Sequence, residues 1–307
     1  MPVASDILND WYRRTARDLP WRRPGFGAWG ILVSEFMLQQ TPVARVIPLL
    51  EAWLARWPTP AHLAAAAPAD AVRAWANLGY PRRALWLHRA AVEITDRHGG
   101  DVPADVDALL ALTGIGDYTA RAVAVFAYGA HEPVVDTNTR RVIARALDGR
   151  AQPGPPSRAD LARMGRMLPE DDTAAAVFNA ATMELGAVVC TARAPRCGEC
   201  PIADSCAWRA AGYPDTPDTR RRQAAYEGSD RQARGALLRQ LRESASAAIP
   251  LEAALPAWPD THQRDRAIGT LVSDGLIEIV DERVRLPETA DGMPTAQASS
   301  SASPRTR

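Results

Sequence analysis

The 307-residue sequence contains no lysine. All 36 residues counted as Lys or Arg are therefore arginine, and five histidines complete the basic set. Without a side-chain amine there is no lysine to form a Schiff base, so lysine-driven covalent chemistry is excluded, the α-amino terminus apart. Net charge is also missing, because 36 acidic residues balance the arginines. Any case for nucleic acid must then rest on local patches. No apolar run reaches the roughly 18 residues of a membrane-spanning helix, so no membrane association is expected. The opening MPVASDILNDW lacks a basic start followed by an apolar core, so it reads as no secretory signal and the chain as intracellular. Hydrophobic residues at 47% and charged residues at 23% place the chain among globular proteins.

From Ser5 to about Tyr213 apolar residues recur at helical spacing, as in Ile31, Leu32, Phe36 and Met37 or Val123, Val125 and Phe126. Strand alternation and internal repeats are lacking there. Residues 214–230 are polar, charged and proline-bearing and read as a linker. Residues 231–286 then predict a helix over 231–243, a short helix near 251–255, a helix over 260–274 and a hairpin turning at Asp281-Glu282. That order suggests a small winged-helix-like module, or equally a small α+β appendage on the main domain. Residues 287–307 are rich in Ser, Thr, Ala and Pro and are expected to be a disordered tail.

The four cysteines, Cys190, Cys197, Cys200 and Cys206, fall within seventeen residues as C-x6-C-x2-C-x5-C. In an intracellular chain this points to metal rather than disulfides. Structural zinc ordinarily uses two separated C-x2-C knuckles. A single knuckle with two flanking cysteines suits an iron–sulfur cluster better; zinc and four unliganded thiols stay open. Upstream, Thr113-Gly114-Ile115-Gly116 separates two predicted helices, the second over 117–128. A G-x-G turn can offer backbone N–H groups at a helix N-terminus to a DNA phosphate, although a tight glycine turn between helices is common. Asp136 precedes a helix and reads equally as its N-cap or as a catalyst, and the two roles can coexist, since a helix N-terminus favours negative charge. Glu35 lies among apolar and amide residues in Ser34-Glu35-Phe36-Met37-Leu38-Gln39-Gln40-Thr41. It is a helix-surface residue or, if desolvated, a general acid with a raised pKa.

Taken together, L-x-G-x-G, the following Val135-Asp136 and the four-cysteine spacing resemble the helix-hairpin-helix DNA glycosylases that carry an iron–sulfur cluster. Asp18-Leu19-Pro20-Trp21-Arg22, the Leu38-Gln39-Gln40-Thr41 stretch, Leu78-Gly79-Tyr80 and Glu184-Leu185-Gly186 resemble the MutY-type adenine DNA glycosylases. The resemblance covers about residues 5–213. It implies a mainly α fold, with a helix-hairpin-helix glycosylase domain of two helical subdomains over residues 1–213, an iron–sulfur loop at 190–206 holding a [4Fe-4S] cluster, and the small C-terminal module beyond. It implies base excision repair: hydrolysis of the N-glycosidic bond of adenine mispaired with 8-oxoguanine or guanine in double-stranded DNA, by a bacterial, cytoplasmic, nucleoid-associated monomer. By the same resemblance Glu35 protonates adenine N7, Asp136 stabilises the oxocarbenium sugar and Asn138 supports it. Tyr118 stands where bifunctional relatives carry lysine. Gln40 is the wedge beside the opposing base and Tyr80 stacks there, next to Leu38. Arg17, Trp21, Arg22 and Glu184 line the adenine pocket, and Gly114 and Gly116 hold phosphate. A cleft between the subdomains would set Glu35 and Asp136 on either side of one flipped nucleotide.

The sequence departs from that pattern at Thr113, where proline is usual, and at Pro81, where a second tyrosine is common. It is also expected to lack the full Nudix-like C-terminal domain that recognises 8-oxoguanine in typical relatives. A thymine/uracil mismatch glycosylase acting opposite guanine is the neighbouring alternative, and a non-catalytic, redox-sensing DNA-binding protein the more distant one.

Overall fold

The structure is a computed structural model and describes residues 5–214 and 226–289. Most of the predicted linker and the tail from residue 290 on lie outside the described residues. In chain order the helices are α1 (Ser5–Thr15), α2 (Gly27–Leu38), α3 (Val43–Arg56), α4 (Pro60–Ala64), α5 (Pro68–Ala74), α6 (Arg82–His98), α7 (Val106–Leu110), α8 (Asp117–Tyr128), α9 (Thr137–Ala146), α10 (Arg158–Gly165), α11 (Asp172–Val188), α12 (Ala207–Ala210), α13 (Asp230–Glu243) and α14 (Thr261–Ser273). No helix among the described residues is long and apolar enough to cross a membrane.

The chain divides into two compact units. Among the described residues one comprises 5–31, 104–107 and 117–214, the other 32–103, 108–116 and 226–289. In the first, α11 packs on α1 and α9. Leu8, Val142, Ile143, Met164, Phe178 and Leu185 form its core, which continues through Val189 to Ile202 beside the cysteine loop. Asp171 caps α11 through the Ala174 N–H at 2.8 Å, and Asp136 caps α9.

In the second unit, α4 and α5 pack on α6. Trp53 sets its ring edge-on to both Trp57 and Trp75, at centroid separations of 4.6 and 5.7 Å. The part of α2 that lies in this unit is buried on every side from Leu32 to Met37. Such a helix belongs inside a core, and its near-continuous apolar run explains why.

The C-terminal residues form the predicted helix–helix–hairpin order and add a strand. β1 (Ala248–Pro250), β2 (Glu278–Val280) and β3 (Arg283–Arg285) make an antiparallel sheet in the order β1-β3-β2, with Val284 opposite both Ile249 and Ile279. β1 escapes sequence reading because it is three residues long and ends in proline, which an edge strand tolerates. The 251–255 segment is a single 3-10 turn at Leu251–Ala253 rather than an α-helix. Asp281 and Glu282 at the hairpin tip both have positive φ, 50° and 57°, as a two-residue turn between twisted strands requires.

This module is bonded into its unit. Arg242 donates from Nε to Val72 O at 3.0 Å and from Nη1 to Ala76 O. Burial lowers its pKa to about 10, which still leaves it charged at neutral pH. Arg82 pairs with Asp274 at 3.1 Å. Pro287, read as the first residue of the tail, accepts a 2.8 Å hydrogen bond from the Ala69 N–H.

Candidate active site and iron–sulfur centre

Asp136 is the N-cap of α9: Thr139 N–H donates to its Oδ1 at 2.6 Å. Its second oxygen is also held, because Asn138 Nδ2 donates to Oδ2 at 2.7 Å. Asn138 is fixed in turn by Arg141, whose Nη2 donates to Asn138 Oδ1 at 2.8 Å and to Gly186 O at 2.6 Å. Arg141 Nε reaches Cys190 O at 2.8 Å. An unbroken line of hydrogen bonds thus joins the backbone of the first cysteine to the carboxylate of Asp136. Arg141 is a buried residue; its neighbour Arg140 is spent on Asp160 and Gly154 O.

Gly186 closes this arrangement. A Cβ there would lie 2.7 Å from Asn138 Cβ and 2.9 Å from Asn138 O, inside van der Waals contact. In a free helix Gly→Ala is favourable by about 1 kcal/mol. Here Gly186→Ala should do the opposite, lowering the melting temperature and slowing base release about 100-fold by displacing Asn138. A melting temperature at or above wild type with full activity would show that the contact carries no such weight.

Glu184, two residues earlier on α11, is 1% exposed. Arg17 grips it with two bonds of 2.7 Å from Nε and Nη2, and Arg22 Nη2 adds a third at 2.8 Å. Burial pushes its pKa up, but the hydrogen bonds from Arg17 and then Arg22 outweigh this and hold it at about 2, against the usual 4.5. A folded-state pKa below the unfolded one means that the stabilisation is complete above about pH 4.5 and is lost as pH falls from there through about 2. Glu184→Gln should therefore flatten the acid limb of a melting-temperature series over that window. At pH 7 it should cost about 2–3 kcal/mol, less than for a fully buried pair because Arg17 is partly exposed. A neutral-pH melt identical to wild type would refute this. Trp21 precedes Arg22 on a 3-10 turn that spans Pro20–Arg22, and is half-buried. Tyr118, on the first turn of α8, packs against Ala122, Val125 and Val134.

The remaining candidates lie in the second unit. Glu35 is only 6% exposed, within a stretch of α2 that is wholly buried, so the reading of it as an exposed helix residue falls away. Leu38 ends α2. Gln40 and Tyr80 both sit at positive φ, 55° and 46°, and Tyr80 is 51% exposed. Non-glycine residues held there are strained, and such strain concentrates at functional positions. One residue holds both turns. Arg83 Nη1 donates to Phe36 O at 2.7 Å and to Gln39 O at 2.5 Å, and its Nη2 donates to Gly79 O at 3.1 Å. Its guanidinium lies 5.3 Å from the centre of the Tyr80 ring. Burial lowers its pKa to about 10, so it remains a cation.

In the glycine turn, Gly114 has φ +79°, and a Cβ there would stand 2.6 Å from Trp86 Cβ. Gly116 has open space where a Cβ would go. Thr113, where proline is usual, donates its N–H and its hydroxyl to Glu93, both at 2.8 Å. The departure thus adds an N–H contact that proline cannot make.

Cys190, Cys197, Cys200 and Cys206 are unpaired thiols that line one cavity with Arg145 and Trp208. Arg145 approaches Cys190 Sγ at 3.4 Å, donates to Thr191 O and Ala192 O, and lies 4.6 Å from the centre of the Trp208 ring. Burial pushes the Cys200 thiol up to about 11. Four soft sulfur donors around one cavity, backed by a buried arginine, fit an anionic iron–sulfur cluster.

Helices, glycine turn and four-cysteine loop together define a base excision DNA repair protein of the helix-hairpin-helix class. Residues 33–162 match the HhH-GPD superfamily of base excision DNA repair proteins, and residues 190–206 match the iron–sulfur binding domain of endonuclease III, the [4Fe-4S] motif. The adenine DNA glycosylase of Mycolicibacterium smegmatis is 53% identical over 292 residues, 95% of each chain. That of Mycobacterium tuberculosis is 54% identical over 287 residues, 93% of this chain and 94% of its own. The chain belongs to this family, the MutY-type adenine DNA glycosylases. A thymine/uracil-DNA glycosylase of Pyrobaculum aerophilum is 36% identical over 65% of the chain and 88% of its own. In fold, the chain matches a thermostable thymine-DNA glycosylase with a TM-score of 0.62 at 24% identity, over 67% of this chain and 95% of that one. It also matches endonuclease III in a non-covalent DNA complex with a TM-score of 0.58 at 20% identity, over 68% and 94%.

Proposed function

We propose that the protein is a monofunctional adenine DNA glycosylase of base excision repair, acting on adenine mispaired with 8-oxoguanine or guanine in duplex DNA. The observation that carries this is the 53% identity to an adenine DNA glycosylase over 95% of the chain, joined to the two carboxylates it needs, Glu35 and Asp136. Glu35, buried on α2, delivers its proton to N7 of the flipped adenine and makes the base a neutral leaving group. Asp136 lends its charge to the sugar as positive charge develops at C1′, and Asn138 fixes the orientation of that carboxylate. Water completes the hydrolysis. Tyr118 and the absence of any lysine leave no side-chain amine to attack C1′, so the strand stays intact. The [4Fe-4S] cluster, when bound to the four cysteines, supplies a rigid anionic centre that organises their loop. Arg17, Trp21, Arg22 and Glu184 shape the adenine pocket. Gln40 and Tyr80 enter the stack beside the opposing base, and Gly114 and Gly116 present backbone N–H groups to phosphate. The protein works as a monomer in the bacterial cytoplasm, on nucleoid DNA.

Single-turnover assays on end-labelled duplexes test this. Strand breaks should appear on A:8-oxoguanine and A:G only after alkali, with T:G untouched. Breaks without alkali would overturn the monofunctional reading, and activity confined to T:G would move the enzyme to the thymine branch.

A further inference from the structure

The second unit carries a groove of about 1630 Å³ between the Gln39–Gln40 turn, the turn around Tyr80 and one side of α13 in the C-terminal module. Eight arginines but only two carboxylates, Glu243 and Asp274, line it, in a chain whose charges otherwise cancel. Arg73 pairs with Asp70 at 3.5 Å and Arg231 lies 5.9 Å from the centre of the Tyr226 ring, and four more of these arginines are engaged within the groove. Arg83 and Arg242 hold backbone carbonyls, while Arg82 and Arg234 neutralise Asp274. Arg45, Arg73, Arg231 and Arg239 are exposed. Among the described residues Arg45 and Arg239 have no acidic partner.

The face of α13 has its own logic. Ala233, Leu237, Leu238 and Leu241 are buried. Arg231, Gly235 and Arg239 stand four residues apart, on one stripe that lines the groove. Gly235 in mid-helix costs about 1 kcal/mol against alanine. A Cβ there would press to 3.1 Å from the hydroxyl of Tyr226, so the glycine lets that ring close over the helix. Arg231 and Arg239 are about 12 Å apart along the axis, which spans three to four nucleotides of one strand at about 3.4 Å each. Exposed Tyr80 and Tyr226 stand among these cations. Arginine interleaved with aromatic rings is the pattern that holds a nucleic-acid strand; an acidic protein needs only the charge.

We propose that the C-terminal module is a DNA-gripping element. Its Arg231–Gly235–Arg239 stripe, with Arg45 across the groove, holds phosphates of the strand that carries the base opposite the adenine. The choice of strand rests on the reading of Gln40 and Tyr80, which border the same groove, as the residues beside that base.

The test uses the full-length holoenzyme and a duplex with a hydrolysis-resistant 2′-fluoro adenine nucleotide opposite 8-oxoguanine. Binding is measured across about 50–200 mM salt. The double variant R231A/R239A should bind about tenfold more weakly or worse, and its plot of log affinity against log salt should be shallower by about 1.8, two contacts at about 0.9 each. R231K/R239K keeps both charges and should keep the slope. Uncharged methylphosphonate linkages beside the opposing base should weaken wild type and leave R231A/R239A unaffected. If only linkages on the adenine strand do so, the strand assignment is wrong. An unchanged slope in R231A/R239A, with the visible absorbance of the cluster intact, overturns the proposal. Weaker binding of that variant to polyglutamate but not to DNA would likewise overturn it in favour of an acidic protein partner. Whether wild type releases adenine is a separate readout: no release with a steep salt slope would remove the proposed activity and keep the grip.

Discussion

Asp136→Asn should lower the single-turnover rate of adenine release by roughly 1000-fold, the scale on which losing a charge aimed at a transition state is felt. Asparagine is nearly as good an N-cap as aspartate, so the start of α9 should survive. The variant therefore separates the two roles of one side chain. A variant that stays folded with α9 intact, at a melting temperature only modestly lowered by the lost contact to Asn138, with activity lost, would assign Asp136 to catalysis as well as to capping. Retained activity would reduce it to a cap. The position of Asn138 sharpens the expectation. Its amide N–H already donates to Asp136 Oδ2, and its carbonyl already accepts from Arg141. An amide at position 136 sets donor against donor there, and Asn138 cannot turn over without facing Arg141 with its own N–H groups.

The second large effect is expected at Arg141. Removing a buried cation with three strong acceptors, Asn138 Oδ1, Gly186 O and Cys190 O, should cost about 3–5 kcal/mol in Arg141→Ala. That is enough to threaten folding, so Arg141→Lys is the better probe. Lysine keeps the charge but cannot fork to three acceptors in fixed directions. Arg141→Lys should retain the cluster, seen by its visible absorbance, and still release adenine at least about tenfold more slowly, because Asn138 is no longer held. Wild-type single-turnover rates in Arg141→Lys would show that the line from Cys190 to Asp136 is structural only.

Much of this site was legible in the chain. The helical period placed α8 at 117–128 and two helices of the module, α13 and α14, to within a residue, while the helix expected near 251–255 is a single 3-10 turn. The unusual density of cysteine over seventeen residues marked the cluster loop, and the family resemblance pointed to Glu35 and Asp136 as the candidate carboxylates. What escaped has a common physical cause. Arg83, Arg141, Arg145 and Arg242 look in sequence like surface charge, since arginine is seldom buried unless paired. Their partners here are mostly backbone carbonyls, often 40 or more residues away in the chain, and a carbonyl has no letter in a sequence. Gly186 reads as part of a motif, but the reason for it, the close approach of Asn138, is a packing fact. The sequence does not show whether the arginine pairs at 82–83 and 140–141 touch phosphate. Arg83 and Arg141 are turned inward, and the groove of the second unit draws on single arginines scattered from Arg45 to Arg239.

The anchoring of Arg242 bears on how this protein comes apart. Its charge is desolvated against Val72 O and Ala76 O, and it forms no independent part of the module. Peeling residues 226–289 away from α5 would strand two carbonyls and rupture the Ala69–Pro287 bond at the same moment. The helical part of the second unit and its C-terminal module should then share one cooperative unfolding event, with hydrogen-exchange protection in α13 rising and falling with that in α5 and α6.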